Sequence, residues 1–450
     1  MMNSSNSFKS EFPSINFNNL NSLTSECLVT DEEPYKQLII LGNGFDLACG
    51  LKSSYLAFFE YIFQKKTTNA NYWYNIFKSL FNRNNKIKNW TDVESRILIE
   101  LKNIDFLYSS GIFREGNRIL LSSSLRNRIA NTLKSIDPEC SIEEIQSIYH
   151  SAILLIEHTG KRIPPIIYSY NYLKSDLLEL EIDFQCFLKE QIKYESSMKE
   201  AIFQNNKEHK CSSYFIKSIC LISYILMHNP QYTPSFEIFN RIINSIPTMA
   251  SFEELSAQLN ALNSIANKTT KELVQTSIIS FNYTNPFENI NIRNIHGSLF
   301  SNNIIFGIDY DKLIGYFDQL PIDFSKSYRI LESGNKSALT ITSNTNIIKF
   351  YGHGLGPADY AYFQAIFDTV DLYHGNTHLV FYWSAYDKEL TDYIYKDYVM
   401  NVVNLIEEYG KTFTNQDHGR NLLTKLQLEN RLKIEEIDLD FIFSFTQSDS

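Results

Sequence analysis

A short apolar run that ends in a glycine turn is the feature that most constrains the fold of this sequence. Residues 36–41 (KQLIIL) are followed at once by residues 42–44 (GNG). An apolar, β-branched run bounded by glycines is typical of a buried strand. A helix is predicted next, with Ser53 or Ser54 as its N-terminal cap. Its apolar face would consist of Tyr55, Phe58, Phe59, Ile62 and Phe63.

The order of the remaining periodic segments predicts an α/β fold. Apolar positions recur at helical spacing over most of residues 55–275. Apolar segments of strand length then occupy residues 277–281, 289–295, 303–308, 346–351 and 378–383, with 433–439 as an edge strand. Helices are expected at 359–367 and 388–410, the second with Gly410 as its C-terminal cap. This alternation favours a mainly parallel, Rossmann-like sheet.

These segments divide the chain into three parts. Residues 1–33 lack apolar periodicity and are rich in Asn and Ser, so they are predicted to be a disordered N-terminal arm. Residues 34–54 and 276–450 together would form an α/β nucleotide-binding core. Residues 55–275 would be a large helical insertion that sits over the sheet of that core.

Charge and cysteine content narrow the range of partners. The formal net charge of −10 repels a phosphate backbone, so nucleic acid is not an expected partner. The six Cys residues contain no CxxC pair, so neither a metal site nor a disulfide framework is expected. No apolar stretch reaches the roughly 18 residues that a membrane-spanning helix needs. A cytoplasmic protein with reduced thiols fits these observations best.

Two glycine-containing motifs follow predicted strands, where open α/β sheets bind their ligands. In residues 42–46 (GNGFD), the glycines would let backbone amides approach a pyrophosphate, although a simple tight turn is the alternative. In residues 350–359 (FYGHGLGPAD), Pro357 suits the first turn of a helix, and a flexible loop is the alternative. Both segments would place a helix N-terminus at the same edge of the sheet.

Two further motifs supply polar side chains at the ends of predicted strands. Asn282, in SFNYT, would orient a ribose hydroxyl or a water, unless it only satisfies the backbone of its turn. His296, in NIHGS, has an ordinary pKa of about 6.5 that suits proton transfer near neutrality. Gly297 would leave the His296 ring room for a ligand. A core histidine bonded to the backbone is the alternative.

Carboxylates near the start of one predicted helix admit two interpretations. Asp92 and Glu94 flank Val93 in the segment NWTDVE. Residues two apart do not face each other on a helix, so the two carboxylates do not form an acid–base pair. An interaction with the helix dipole is the prediction. Entry of either side chain into the cleft from the helical insertion is the alternative.

Several of these segments resemble one protein family in the same order along the chain. The segment LIILGNGFDLACGLKSSYLAFFEYIF is similar to the opening of the AbiH family of bacterial abortive-infection proteins. Later motifs of that family resemble SFNYTNPFE, NIHGS, IIFGID and KFYGHGLGPADYAYFQAIF, and two motifs of its helical region resemble NWTDVE and LELEIDFQCFL. The resemblance spans about residues 36–440. It implies defence against bacteriophages, with a phage-derived trigger as an expected partner and a homo-oligomer as a possible assembly.

The same motif order is more distantly similar to sirtuin-like NAD-binding proteins. This similarity implies NAD, as substrate or ligand, and hydrolysis of its N-glycosidic bond. It implies Asn282 and His296 as the catalytic residues. The residues implied in NAD binding are Gly42, Asn43, Gly44, Asp46, Tyr283, Gly297, Gly352, His353 and Asp359. A four-cysteine zinc site is not present in the sequence, so protein deacetylation is not expected.

Two other functions remain open at this stage. The first is a nuclease or another nucleotide hydrolase, which would need a basic face to hold its substrate. The second is a sensor without catalytic activity that binds a nucleotide or a phage protein. In a sensor, Asn282 and His296 would contact the ligand and nothing more.

Overall fold

The strands of the computed structural model form an open sheet in which every neighbouring pair is parallel. The structure describes residues 35–65, 70–82, 90–118, 123–160, 162–192, 213–227, 274–286, 292–299, 301–317, 319–333 and 341–444. The strands are β1 (Tyr35–Leu41), β2 (Val274–Ser280), β3 (Ile292–Asn294), β4 (Ile347–Tyr351), β5 (His378–Trp383) and β6 (Leu432–Glu436).

The strand order creates a crevice beside β1. The order is β3-β2-β1-β4-β5-β6, so the chain builds outward on one side of β1 and then returns to build on the other. This is the doubly wound, Rossmann-like order, in which ligands bind at the carboxyl ends of the strands where the direction reverses. That reversal lies between β1 and β4. The prediction of a mainly parallel sheet is therefore confirmed.

The sequences of the strands match their positions in the sheet. All five residues of β4 and most of β1 are buried, as expected for central strands covered on both faces. The edge strand β6 is mostly half-buried and carries charged residues. The predicted strand segments 277–281, 346–351, 378–383 and 433–439 all contain part of an observed strand. The predicted strand 289–295 shortens to β3, and residues 287–291 lie outside the described residues.

Helices fill the chain between β1 and β2. They are α1 (Asn43–Ala48), α2 (Tyr55–Lys65), α3 (Tyr72–Asn82), α4 (Trp90–Ser109), α5 (Ser123–Ile136), α6 (Ile142–Thr159), α7 (Ile166–Ile192) and α8 (Ser213–Met227). Helices α2 to α7 share an aromatic core that includes Phe58, Phe59, Trp73, Phe77 and Phe184. The short helix α1 begins within the predicted glycine turn, with Gly42 as its N-cap, and the sequence periodicity did not reveal it.

Helix α8 packs on the sheet itself. Its buried residues Cys220, Leu221 and Ile222 share a core with Ile39 of β1 and Ile347 of β4. The division of the chain into a core and an insertion at residue 275 stays a prediction, and α8 lies against the sheet although it falls within 55–275.

A buried lysine fastens the end of α8 to the central strand β4. Lys349 Nζ donates hydrogen bonds to the carbonyl oxygens of Ile225 (2.8 Å) and Leu226 (3.1 Å). These carbonyls belong to the last turn of α8, where carbonyl groups lack partners within the helix. Burial lowers the pKa of Lys349 to about 7.

The other face of the sheet is covered by helices that follow β4 and β5. They are α10 (Tyr360–Thr369), α11 (Thr391–Lys411) and α12 (Gln416–Leu428), while α9 (Lys326–Glu332) precedes β4 and α13 (Leu439–Ser444) follows β6. Gly410 does not cap α11 as predicted, because the helix continues to Lys411. Gly410 instead lies against Gly419 of α12, and a Cβ on either glycine would collide with the backbone of the other.

The predicted strand 303–308 is absent from the sheet. The residues Ile304, Phe306 and Ile308 are buried in the core of the helical insertion. The N–H of Phe306 donates to Glu181 Oε1 (2.6 Å), and its carbonyl accepts from Arg329 Nη1 (2.8 Å). Because side chains satisfy these backbone groups, the segment does not need a neighbouring strand. The prediction of a strand at 303–308 was wrong. The groups that bond this segment, such as Glu181 and Arg329, lie far from it in the sequence or on other elements.

The remaining expectations concern the N-terminal arm, the helix caps and membrane-spanning helices. The predicted N-terminal arm, residues 1–33, and residues 228–273 of the predicted helical insertion lie outside the described residues. At the start of α2, the Oγ of Ser54 accepts from the N–H of Ala57 (3.2 Å), as expected for a cap. Pro357 lies at the start of a short 3₁₀ helix, Pro357–Asp359, as predicted. Within the described ranges, no helix combines the length and apolar character needed to cross a membrane.

Candidate functional site

A cavity opens at the carboxyl ends of the central strands. Its volume is about 480 Å³, within the range of small-molecule sites. The segments that follow β1 to β4 provide a polar wall, which includes Asn43, Asp46, Asn282, Thr284, His296, His353 and Asp359. Helices α2 and α7 provide an apolar wall with Tyr55, Phe184 and Leu188. Helix α11 contributes Asp397 and Asn401 from a third direction.

The structure brings most of the predicted site residues to this cavity. The predicted residues that line it are Asn43, Asp46, Asn282, Tyr283, His296, Gly352, His353 and Asp359. The predicted residues that do not line it are Gly42, Gly44 and Gly297. Gly42 and Gly44 lie at the start of α1, and Gly297 lies in the turn after β3, next to residues that do line the cavity.

Gly42 and Gly44 allow the loops after β1 and β4 to touch. The N–H of Gly42 donates to the carbonyl of Tyr351 (2.9 Å), and the N–H of Gly44 donates to the carbonyl of Gly352 (2.7 Å). A Cβ on Gly44 would lie 2.7 Å from the Cα of Gly352, closer than real side chains come. Both amides are therefore engaged within the protein. A contact between these two glycines and a diphosphate stays a prediction.

Gly297 serves the turn that follows His296. Its φ is +85°, a region that side chains disfavour, and a Cβ there would collide with the carbonyl oxygen of Asn303. The sequence interpretation gave Gly297 the task of leaving room for a ligand. The structure instead places it against the backbone of the same loop, outside the lining of the cavity.

We expect Gly297→Ala to lower the free energy of unfolding by about 2–3 kcal/mol, because a left-handed φ and a backbone collision both oppose the new methyl group. Urea denaturation would measure this loss. Gly354→Ala is the matched control, because a Cβ on Gly354 would meet no atom within 4 Å. Equal stabilities of the two variants would contradict the steric argument.

Asn282 has a fixed backbone and an unsatisfied side chain. Its N–H donates to Ser280 Oγ (3.1 Å), and its carbonyl accepts from Asn294 Nδ2 (2.6 Å). Its side chain is buried, and the Oδ1 atom has no hydrogen-bond partner among the described residues. A buried polar atom without a partner costs about 1–3 kcal/mol. Such an atom in a cavity wall is a sign of a ligand-binding position.

Asn294 is the residue that satisfies the backbone of the turn. Its Nδ2 atom also donates to the carbonyl of Thr284 (2.9 Å). The alternative stated for Asn282 was that its side chain only satisfies the backbone of the turn. In the structure, Asn294 has that role. Asn282 is left with an amide that faces the cavity.

A carboxylate links two histidines in the polar wall. Asp359 Oδ1 lies 3.3 Å from His296 Nε2, and Asp359 Oδ2 lies 3.3 Å from His353 Nε2. The N–H of Leu355 donates to His353 Nδ1 (2.9 Å), so a neutral His353 carries its proton on Nε2, facing Asp359. Leu355 has a φ of +53°, and this strained backbone positions its N–H against the ring.

The charges of this cluster suit a proton acceptor. Burial tends to raise the pKa of Asp359, but the contacts with His296 and His353 outweigh it and hold the pKa well below its usual range. Burial lowers the pKa of His296, and the nearby Lys326 cation lowers it further. Near neutral pH, Asp359 is therefore ionised and His296 is neutral. A neutral imidazole oriented by a carboxylate is able to accept a proton.

Asp46 is a second buried carboxyl in the wall. Thr284 Oγ1 donates to its Oδ2 (2.6 Å), and the hydroxyl of Tyr214 donates to its Oδ1 (2.9 Å). Burial raises the pKa of Asp46 to about 6, although both hydrogen bonds act against the rise. Thr284 is therefore a hydrogen-bond partner of Asp46.

The raised pKa of Asp46 predicts a specific pH dependence of stability. The folded state binds the proton of the Asp46 carboxyl more tightly than the unfolded state does. The contribution of Asp46 to stability is therefore full below pH 3.8 and is lost as the pH rises through 6. A change of about 2 pKa units corresponds to about 3 kcal/mol. Relative to wild type, Asp46→Asn should therefore gain up to this amount between pH 4 and 7, measured by urea denaturation. Stability curves of wild type and Asp46→Asn that run parallel across this pH range would contradict the prediction. Asp392→Asn, at an exposed carboxyl, is the control.

Sequence reasoning missed a buried ion pair close to the histidine cluster. Glu94 of α4 contacts Lys326 Nζ of α9, and both side chains are buried. Burial raises the pKa of Glu94 to about 8 even though Lys326 opposes the rise. The assignment of Glu94 to the helix dipole was wrong, while Asp92 does lie in the first turn of α4. The sequence carried no signal for Lys326, Asp397 or Asn401.

The chain matches one known protein family. A family model described as bacteriophage abortive infection AbiH matches residues 38–383. No curated protein and no solved structure shows a significant match to the chain. The matched range includes most of β1, all of β2 to β5, and the polar wall of the cavity. Because it covers well over half of the 450 residues, the chain belongs to the bacteriophage abortive infection AbiH family.

Proposed function

We propose that this protein acts in defence against bacteriophages by hydrolysing the N-glycosidic bond of NAD in the cavity. The observation that carries the proposal is the buried, unsatisfied Oδ1 of Asn282 in the same wall as the cluster of His296, Asp359 and His353. An acceptor without a partner and a neutral base held by a carboxylate are the groups that a hydrolytic reaction at a ribose requires.

The walls of the cavity suit the two chemical parts of a nucleoside. Tyr55, Phe184 and Leu188 offer an apolar surface for a flat ring such as nicotinamide. The opposite wall offers amide, carboxylate and imidazole groups for the ribose and for a water molecule. The cavity lies at the reversal of strand order, which is the usual ligand position of this sheet topology.

The reaction would proceed by loss of nicotinamide and addition of water. The bond between C1′ and the nicotinamide nitrogen breaks, and its electron pair returns to the ring, so the ribose develops oxocarbenium character. Asn282 would hold a ribose hydroxyl or the attacking water through Oδ1. His296 would take the proton that the water loses as its oxygen bonds to C1′. The ionised Asp359 would stabilise the imidazolium that results and the positive charge on the sugar.

The diphosphate would be held at the start of α2. Ser53, Ser54 and Tyr55 line the cavity there, and a helix N-terminus favours negative charge. This position complements the glycine turn, whose amides at Gly42 and Gly44 are engaged with the loop after β4.

The electrostatics of the cavity count against a nuclease. The charged residues that line it are Asp46, Asp359 and Asp397, and none of the described lining residues is Lys or Arg. A nucleic-acid strand brings a row of phosphates and gains most of its affinity from cationic side chains. A ligand with a single diphosphate and two nucleosides fits these walls better.

The test is the NAD content of infected cells that express wild-type protein or Asn282→Ala. We expect NAD to fall after infection in wild-type cells and to stay constant with Asn282→Ala. The exposed Asn404→Ala is the matched control and should behave as wild type. Protection of wild-type cells without loss of NAD would overturn the proposed reaction and favour a sensor.

A further inference from the structure

Asp397 and Asn401 form a part of the cavity that the proposed reaction does not use. Both lie on α11, one helical turn apart, and both line the cavity. Asn401 Nδ2 donates to Asp397 Oδ2 (3.4 Å). Asp397 is exposed, so it lies where the cavity meets solvent.

These two residues line the cavity at the sheet edge from a different element than the reacting groups do. Asn282 and His296 follow β2 and β3, whereas α11 follows β5. A dinucleotide whose reacting ribose contacts Asn282 would extend along this edge. Its second nucleoside would then reach α11, whose Asp397 and Asn401 line the same cavity.

The chemistry of Asp397 suits a ribose with free hydroxyls. A carboxylate accepts hydrogen bonds only, and two vicinal hydroxyls can donate to it together. The amide of Asn401 holds one oxygen of the carboxylate and so orients the group. A phosphate on the 2′-oxygen would meet a like charge, and none of the described lining residues is a Lys or Arg that could neutralise it.

We infer that Asp397 binds the hydroxyls of the adenosine ribose and selects NAD over NADP. This inference rests on the proposed function, because it takes the ligand to be a dinucleotide. It assigns specificity to a residue of α11, beyond the motifs that follow the strands. Asn401 is a positioning residue for that carboxylate.

The test compares ADP-ribose and ADP-ribose 2′-phosphate as probes, because neither carries the bond that would be hydrolysed. Isothermal titration of the full chain should give at least about tenfold tighter binding of ADP-ribose by wild type at low salt. Asp397→Asn should bring the two affinities close together, and Asp397→Arg should reverse the preference. High salt should reduce the wild-type preference, because Asp397 is exposed and screened.

The exposed Asp392→Asn, in the first turn of the same helix, is the matched control and should keep the wild-type preference. If both probes bind and Asp397→Asn keeps the wild-type ratio, the inference fails and the proposed function stands. If neither probe binds to wild type, the proposed function fails and the inference fails with it. Because Asp397 is exposed, its variants should melt at the wild-type temperature.

Discussion

Replacement of His296 by alanine is expected to abolish protection against bacteriophages while leaving a folded protein. Loss of a general base typically costs about 10²–10⁴-fold in rate. His296 is buried, lines the cavity and lies 3.3 Å from the ionised Asp359. Efficiency of plating and NAD content after infection would measure the effect. Asn282→Ala should behave alike, and the double variant should be no worse than either alone, because residues that act on one step are not additive.

A structural histidine would give a different pattern, and two variants separate the possibilities. His296→Gln keeps a hydrogen-bond donor for Asp359 but cannot accept a proton near neutral pH. It should therefore melt close to wild type and still fail to protect. His374→Ala is the control, because His374 is exposed and contacts only the exposed Asp371 among the ion pairs described. Full protection by a folded His296→Gln protein would rule out the role of general base.

Removal of Arg329 is expected to cause the largest loss of stability. Arg329 and Glu181 form a buried, bidentate pair, with Nη1 to Oε1 at 2.5 Å and Nη2 to Oε2 at 2.8 Å. Both side chains also bond the backbone of Phe306, so the pair joins α7, α9 and the segment between them. Arg329→Met would leave a buried carboxylate without its cation. Such a change costs about 3–5 kcal/mol.

A double variant tests whether the unpaired charge causes this loss. In Glu181→Gln/Arg329→Met, the amide still accepts from the N–H of Phe306 but carries no charge. We expect urea denaturation to show that the double variant regains at least half of the lost free energy of unfolding. Lys65 and Glu190 form an exposed pair that solvent screens, so Lys65→Met is the control and should unfold close to wild type. A similarly small loss for Arg329→Met would contradict the argument.

Local sequence signals were enough to predict the sheet and most of the polar wall of the cavity. The runs that became β1, β4 and β5 are short, apolar and bounded by turns, so their environment could be predicted without knowing their partners. Asn282, His296 and Asp359 each follow such a strand. Because parallel strands end at one edge, placing the strands also placed these side chains together.

Features that depend on distant partners could not be predicted in the same way. The segment 303–308 has the composition of a strand, but Glu181 and Arg329 bond its backbone. Glu94 pairs with Lys326, and nothing near either residue in the sequence indicates the other. Asp397 reaches the cavity only because α11 packs back across the sheet. In each case packing between elements decides the environment, and no single segment encodes it.

The strand order also determines when the sheet of this protein can form during synthesis. The partners of β1 begin at Val274 and Ile347, so the first strand has no neighbour in the sheet while most of the chain is made. At ribosomal speeds, the roughly 300 residues between β1 and β4 take about 15–60 s to synthesise. The helices α2 to α7 are synthesised during that interval, but their shared core also includes Phe306 and Phe324, which are made after β2. The apolar strand β1 of a nascent chain therefore lacks its neighbours in the sheet. Any catalytic activity of the cavity requires that β4 has been synthesised.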